Sequence, residues 1–389
     1  MPRIRELTAY DGALPPGPRN AISDVAGVTV GHYTLIAGEG AAGLAWRPGH
    51  GPYRTGVTLV LPHARNLYAE KVVAAVHTIN GFGKPIGFEQ VRELGLLETP
   101  IALTGTLNVP RVADALLTLA IEANPHIGAG FAETGWGGYV SANPLVGETS
   151  DGYLSDLQGR PVGLPEVRAA LAAASAEVAE GAVGAGTGTS CYGWKGGIGT
   201  ASRVLPPQVG GYAVGALVQS NFGRAEELTI RGVPIGQHLR PPAGDGRPPR
   251  VDDRQPEDAP PLGGSIMIVL ASDAPLDARG LGRLARRAAL GLARTGSTGH
   301  GGSGDFVIAF STANTIPESE LLGRNPMPRA FLHEQPILDW LATAVVESVE
   351  EAIYNSLLMA HTVVGRNGHT RHALPAEEVA RLLAAAGRS

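Results

Sequence analysis

The chain has 389 residues, 43% of them hydrophobic, with 36 acidic and 31 basic side chains and a net charge of −5. That is enough apolar sequence to bury a sizeable core as one large domain or two smaller ones, and it excludes a disordered chain. It also excludes the basic footprint of a nucleic-acid binder, and the single cysteine, Cys191, rules out an internal disulfide and a cysteine-cluster metal site.

The N-terminus, Met1-Pro2-Arg3-Ile4-Arg5-Glu6, lacks the apolar core of a signal peptide. No apolar run approaches the ~20 residues needed to cross a bilayer. A soluble cytoplasmic protein that does not engage membranes is therefore expected. Residues 26–33 and 56–61 read as strands, rich in valine and threonine with turn signals outside. Arg111 to Ala123 repeats apolar residues at helical spacing, with Pro110 in the first turn, where its missing N–H costs little. Pro165 opens a second expected helix, through Glu180. A glycine-rich stretch, 181–199, follows, and Tyr212 to Ser220 reads as a buried strand closing at Asn221.

A Pro-rich, charged linker is expected over 241–262. It ends at Gly263-Gly264, after which Ser265 opens the apolar run Ile266-Met267-Ile268-Val269-Leu270. Asp277 is placed to cap a helix running to about Arg294. The turn 296–304 leads into a strand over 305–311, a long helix over 336–360 and a short one over 375–386. Both strands after the linker are continuously apolar, which predicts the middle of a sheet covered on both faces. Interleaved strands and helices predict a layered α/β domain.

There is no GxSxG elbow, Walker loop, HExxH or CxxC pair. Gly184-Ala185-Gly186-Thr187-Gly188 lacks the full spacing of a dinucleotide loop and follows an expected helix. His369-Thr370-Arg371-His372 has no third ligand nearby and reads as a polar surface turn. No cofactor and no metal are expected. What remains is a set of hydroxyl, amide and carboxyl groups: Ser265 opening one strand, Asn221 closing another, and Ser303 with Asp305 at the mouth of a third. If those strand ends meet, they supply a nucleophile, an N–H donor for an oxyanion and a proton-handling pair. Taken singly, each is more often a cap or turn residue, and the Gly264-Ser265 junction alone is more often an ordinary linker before an ordinary strand than the cut site of a self-cleaving precursor. Only three lysines occur, Lys71, Lys84 and Lys195. Lys195, among glycines, would either tie backbone together or tune Ser265.

The chain resembles the L-aminopeptidase/D-alanine-esterase-amidase and β-aminopeptidase family of self-processing serine hydrolases. The resemblance rests on NAISDVAGVTVGHY (20–33), NGFGKP (80–85), VGETSDGYLSD (146–156), GAGTGTSCYGWKGGIGTASR (184–203), VQSNFG (218–223), GSIMIVLASDAPL (264–276) and GSGDFVIAFST (302–312). It implies a four-layer α/β/β/α sandwich, one domain shared by two fragments, 1–264 and 265–389, cut after Gly264. It implies Ser265 as nucleophile with a free α-amine, Asn221 as oxyanion donor, and Ser303 with Asp305 as the supporting pair, where some members carry glutamate. It further implies Glu148 as anchor of the substrate's free amine, Tyr153 as a lining residue, and a homotetramer acting on small peptides, amides or esters. From the residues alone, Glu148 is equally a surface carboxylate and Tyr153 a packing aromatic. Whether the base is the α-amine or the Ser303–Asp305 pair stays open at this point. Ornithine acetyltransferase-like enzymes also self-process but use threonine, so Ser265 argues against acyl transfer to an amino acid. A degenerate small-amine-binding member is the third reading, against which the full residue set speaks.

Overall fold

The computed structural model describes residues 1–10, 12–40, 47–129, 140–242, 264–321 and 327–388. Valine- and threonine-rich stretches give β1 (Thr29–Ala37) and β2 (Tyr53–Leu61), followed by β3 (Glu70–Gly81), β4 (Leu96–Leu97), β5 (Ile101–Gly105) and β6 (Leu145–Thr149). A short hairpin, β7 (Ser190–Cys191) and β8 (Trp194–Lys195), precedes β9 (Ile198–Val204) and β10 (Ala213–Asn221). Then come β11 (Gly264–Ser272), β12 (Ser303–Pro317) and the hairpin β13 (Val363–Val364) and β14 (Thr370–Arg371).

The larger strands form two sheets, in the orders β1-β2-β5-β6 and β4-β3-β12-β11-β10-β9. Within them β5–β6 and β11–β12 are parallel and the other neighbours antiparallel. Helices α1 (Val109–Ala123) and α2 (Leu164–Ala172) cover the outer face of the four-stranded sheet, packing Val112, Leu116 and Val167 against Val57, Leu59 and Val146. The helices α3 (Ala278–Ala285), α4 (Ala288–Arg294) and α5 (Leu338–Leu358) cover the far face of the six-stranded sheet.

Side-chain alternation explains the apolar runs. Ile266, Ile268 and Leu270 of β11 pack with Leu281, Leu292, Leu341 and Val345 of the helices. Met267, Val269 and Ala271 point the other way, toward Val60, Leu103 and Leu145 of the second sheet. Each such fully buried aliphatic side chain is worth about 1.5–3 kcal/mol relative to exposure. β11 and β12 are the two central strands, so their middle stretches, residues 266–271 and 306–310, are covered on both faces and are continuously apolar, with polar residues only toward their ends. The layers run helix, sheet, sheet, helix: the α/β/β/α sandwich. At Gly199 helix and sheet backbones touch, since a Cβ there would stand 2.0 Å from the carbonyl oxygen of Ala352.

A buried ionic cluster joins β9, α5 and the N-terminal segment. Arg203, fully enclosed, donates from Nε to Glu347 at 2.8 Å and from Nη2 to Glu351 at 2.7 Å. Arg5 pairs with Glu351 at 2.7 Å, Asn20 Nδ2 donates to the same carboxylate at 2.6 Å, and the Ala13 amide donates to Glu347 at 2.6 Å.

Three sequence expectations need correction. The helix opened by Pro165 stops at Ala172, because the chain then extends: Ser175 bridges the edge of β1 at Val30, and Glu180 turns inward to Arg3 and the Thr200 amide. The helix capped by Asp277, whose carboxylate accepts from the Gly280 amide at 2.7 Å, is interrupted at Arg286–Arg287, where the Arg287 amide bonds the Leu284 carbonyl in a tighter turn. The His369–His372 segment is no surface turn. It contributes β14, and Arg371 is buried. The linker expected over 241–262 lies outside the described residues from position 243 onward. Among the described residues no helix is long and apolar enough to cross a membrane.

Candidate active site

Three adjacent strands of the larger sheet bring the polar set together. β10 runs antiparallel to β11, and their register sets Asn221 directly opposite Ser265. Directly opposed residues have Cβ atoms about 4.5–5.5 Å apart on the same face. β12 runs parallel on the other side, with Ser303 beside Gly264 and Gly304 beside Ser265. The strand ends invoked in the sequence reading therefore do meet, at one end of the sheet.

Ser265 is buried, and its Oγ donates to the carbonyl oxygen of Gly264 at 2.5 Å, which places the hydroxyl beside the carbonyl carbon that precedes it. Ser303 Oγ leans over Gly264, 3.4 Å from where a Cβ on that glycine would lie. The same hydroxyl donates to Asp305 Oδ1 at 2.5 Å, and the Asp305 carboxylate also accepts the backbone N–H of Ile266. The pair thus flanks Ser265: Ser303 lies over Gly264 and Asp305 holds the Ile266 N–H. Burial pushes its carboxyl above the ordinary range, against the pull of those two hydrogen bonds and the nearby His300. The turn delivering Ser303 is braced by Asn80, whose Nδ2 donates to the carbonyls of His300 and Gly301 at 3.2 Å each.

Asn221 is oriented by its acceptor side. Its Oδ1 accepts the backbone N–H of Ser190 at 2.9 Å, so the group it has to offer is the Nδ2 donor. Ser190 opens the β7–β8 hairpin, whose turn residues Tyr192 and Gly193 both have positive φ, 51° and 76°, as a two-residue type I′ turn requires. Lys195 is fully buried below it. Its Nζ donates to the carbonyls of Gly186 at 2.8 Å, Thr189 at 2.9 Å and Gly196 at 2.7 Å. All three ammonium donors are spent on backbone, so of the two readings of Lys195 the backbone tie describes its contacts. Burial pulls its pKa down to about 7, with Asp151 as the leading opposing charge.

Glu148 is buried on β6, so it is not a surface carboxylate. It accepts the Lys84 backbone N–H at 3.1 Å and lies 3.6 Å from the Lys84 ammonium. It reaches the 81–84 segment, which crosses the head of β12 through Phe82 N–H to the Ser303 carbonyl at 3.2 Å. Tyr153 is gripped between rings and charge: His369 stacks on it at 4.6 Å, and the Arg371 guanidinium lies 3.6 Å from its centroid. Arg371 in turn donates to Ser190 Oγ at 2.8 Å, which links Tyr153 to the loop holding Asn221.

Asp151, Ser190 and Arg371 were not singled out from the sequence as functional residues. Asp151 and Ser190 lie within the segments carrying the family resemblance, so that signal was available; for Arg371, read as part of a surface turn, there was none. Asp151 is wholly enclosed, and burial pushes its carboxyl up to about 6. Among the described residues no cluster of three or more His, Cys, Asp or Glu side chains is placed to hold a metal ion.

A hydroxyl beside a carbonyl, an amide donor opposite it and a serine–carboxylate pair behind it are the parts of a serine acyl-transfer enzyme. The chain belongs to peptidase family S58, whose family model matches residues 20–371. It is 39% identical to the beta-peptidyl aminopeptidase BapA of Sphingosinicella xenopeptidilytica, across 99% of this chain and 91% of that one. The solved structure of the PH0078 protein from Pyrococcus horikoshii OT3 superposes with a TM-score of 0.88 at 45% identity over the whole of both chains. The L-aminopeptidase D-Ala-esterase/amidase of Ochrobactrum anthropi, described as a prototype serine aminopeptidase with a variant of the Ntn hydrolase fold, superposes at 0.84 with 37% identity, over 100% of this chain and 99% of its own.

Proposed function

We propose that this chain is a self-processing serine aminopeptidase that also acts as amidase and esterase, on small peptides, amides or esters bearing a free N-terminal amine. The observation that carries the reading is the convergence of Asn221, Ser265, Ser303 and Asp305 at neighbouring ends of β10, β11 and β12. In the first event Ser265 Oγ attacks the Gly264 carbonyl carbon, and Asn221 Nδ2 stabilises the oxyanion. The C–N bond breaks, the acyl group passes from nitrogen to oxygen, and the nitrogen takes the proton. Water then hydrolyses the ester, leaving a Gly264 carboxylate and a Ser265 α-amine, with fragments 1–264 and 265–389. Turnover repeats the sequence with substrate: an acyl-enzyme on Ser265, departure of the amine, then attack by water.

Before the first cleavage no Ser265 α-amine exists, so the hydroxyl proton must go elsewhere. The Ser303–Asp305 pair, at the scissile linkage, is the base we assign to that step. Afterwards the new α-amine, titrating near ~8 in the absence of neighbours, is available to take over. An acid raised by burial is a stronger base once ionised, so self-cleavage is expected to accelerate as pH rises through the Asp305 ionisation. Asp305→Asn is expected to slow fragment appearance by ~10²-fold or more and to flatten that pH dependence, followed by intact mass after refolding. An unchanged rate and profile would exclude an essential proton role for the carboxylate.

Glu148 is the anchor proposed for the substrate's ammonium, and Tyr153 a wall of the pocket. Their support is the family resemblance together with the burial of Glu148 and its reach to the segment bonded to Ser303. The same resemblance supports a homotetramer of cleaved protomers. The names of the relatives, a beta-peptidyl aminopeptidase and an L-aminopeptidase D-Ala-esterase/amidase, point to β- and α-aminoacyl amides as first substrates to try. Release of p-nitroaniline from free-amine aminoacyl anilides is expected, and no release from their N-acetylated forms above a Ser265→Ala blank. Equal rates on both would overturn the aminopeptidase assignment.

A further inference from the structure

Lys195 and Asn221 have no direct contact among those described above, yet they are joined by a short chain of hydrogen bonds. The ammonium of Lys195 holds the carbonyls of Gly186, Thr189 and Gly196. The Gly196 amide closes the same ring by donating to the Thr189 carbonyl at 3.1 Å. The residue after Thr189 is Ser190, whose N–H fixes Asn221 Oδ1 at 2.9 Å. The hairpin is also laid flat on the end of β10: the Tyr192 amide donates to the Phe222 carbonyl at 2.7 Å and the Ser220 amide to the Gly197 carbonyl at 2.9 Å. A Cβ on Gly196 would stand 2.4 Å from the Ser220 carbonyl oxygen, so the two backbones are in contact.

We propose that Lys195 is a positioning residue for Asn221: it locks the 186–196 turn so that the Ser190 N–H holds the amide with Nδ2 facing the carbonyl that Ser265 attacks. An asparagine side chain can present either end, and only its hydrogen-bond partners decide which. Here a donor, the Ser190 N–H, selects the oxygen. Without the ammonium each of the three inward carbonyls loses a donor, the Thr189 hydroxyl and the Gly196 amide remain to two of them, and the turn relaxes to rehydrate them. Ser190 then moves and Asn221 is free to rotate. A buried ammonium is expensive to desolvate, which is why a merely structural loop would be expected to use a neutral donor. Asp151 supplies the leading balancing charge, and the lowered Lys195 pKa, about 7, reflects how complete the burial is. Arg371, donating to Ser190 Oγ, braces the same residue from the other side.

This inference rests on Asn221 being the oxyanion donor, so the experiment separates the two ideas. The rate of self-cleavage of the refolded full chain is measured for Asn221→Ala, Lys195→Met and the double variant, together with Tm for each. Asn221→Ala is expected to slow cleavage by ~10²–10³-fold, as loss of one oxyanion donor does. Lys195→Met is expected to slow it by about 10²-fold alone but by less than about twofold in the Asn221→Ala background. The fall in Tm, by contrast, should be similar in both backgrounds. That split is one a purely structural role would not give. An equal slowing in both backgrounds overturns the positioning role while leaving Asn221 as donor. An Asn221→Ala chain that cleaves at the wild-type rate overturns both. If Lys195→Met fails to fold, Lys195→Gln, which keeps two donors on a shorter uncharged arm, carries the same cycle with the same expected coupling.

Discussion

Ser265→Ala is expected to leave a single uncut 389-residue chain, where on the proposed scheme the wild-type protein is expected to give two pieces meeting at Gly264–Ser265. The physical argument is local. Among the described residues, the hydroxyl hydrogen-bonded to the Gly264 carbonyl is Ser265 Oγ, 2.5 Å from that oxygen. Ser303 lies beside Gly264 but is committed to Asp305. Removing Oγ therefore removes both the cutter and the later catalyst, and turnover should fall to the level set by binding and the oxyanion donor alone. Removing a nucleophile from such sites lowers kcat by about 10⁶. Intact mass and a denaturing gel read the first effect and anilide release the second. A Ser265→Ala chain that still splits after Gly264 would sink the whole scheme.

Arg203→Met is expected to be the most destabilising single substitution outside the site. The guanidinium is wholly enclosed and faces Glu347 and Glu351, 144 and 148 residues away in sequence. Deleting it leaves two enclosed carboxylates sharing what Arg5, Asn20 and the Ala13 amide can offer. Breaking one side of a buried ion pair typically costs about 3–5 kcal/mol. The measurement is best made on the uncut Ser265→Ala chain, where unfolding involves one polypeptide, by the shift of the denaturant midpoint. Adding Glu347→Gln and Glu351→Gln to Arg203→Met should recover a large part of the loss, since the uncompensated charge is then gone. A loss under about 1 kcal/mol would mean that solvent reaches the cluster, as for an exposed pair.

Much of the central sheet was legible in the sequence because its physics is local. Continuous apolar strands, a proline in a helix's first turn and an aspartate cap each depend on a few neighbouring residues. The polar set was legible for a related reason: glycine turns flank hydroxyl and amide residues where strands must end. What could not be read depends on partners far along the chain. The strand Glu70–Gly81 carries charged and polar ends and gives no clean alternation, yet it pairs with β12 along nearly its full length. Nothing near Ala172 marks the end of its helix, because the competitor is the distant edge of β1. Lys195 stood out by rarity, but its three carbonyls belong to a turn whose shape only the packed hairpin defines. His369 and Arg371 looked solvent-facing since nothing in their own segment announces Tyr153.

The position of β11 between β10 and β12 changes what the protein is as a folding problem. Uncut, it reaches its native state as a unimolecular reaction, with residues on both sides of Gly264 covalently held at a high effective concentration. Once that bond is broken, the two inner strands of the sheet belong to one polypeptide and their flanking partners β10 and β3 to another. The new terminus is then born already zipped on both edges, so the active arrangement requires no search. Unfolding, however, releases two molecules whose reunion depends on concentration. On the proposed scheme self-cleavage would act as a ratchet: the folded strand register sets Ser265 at the Gly264 carbonyl, and once that bond is cut the mature protein could not regain its fold by unimolecular refolding.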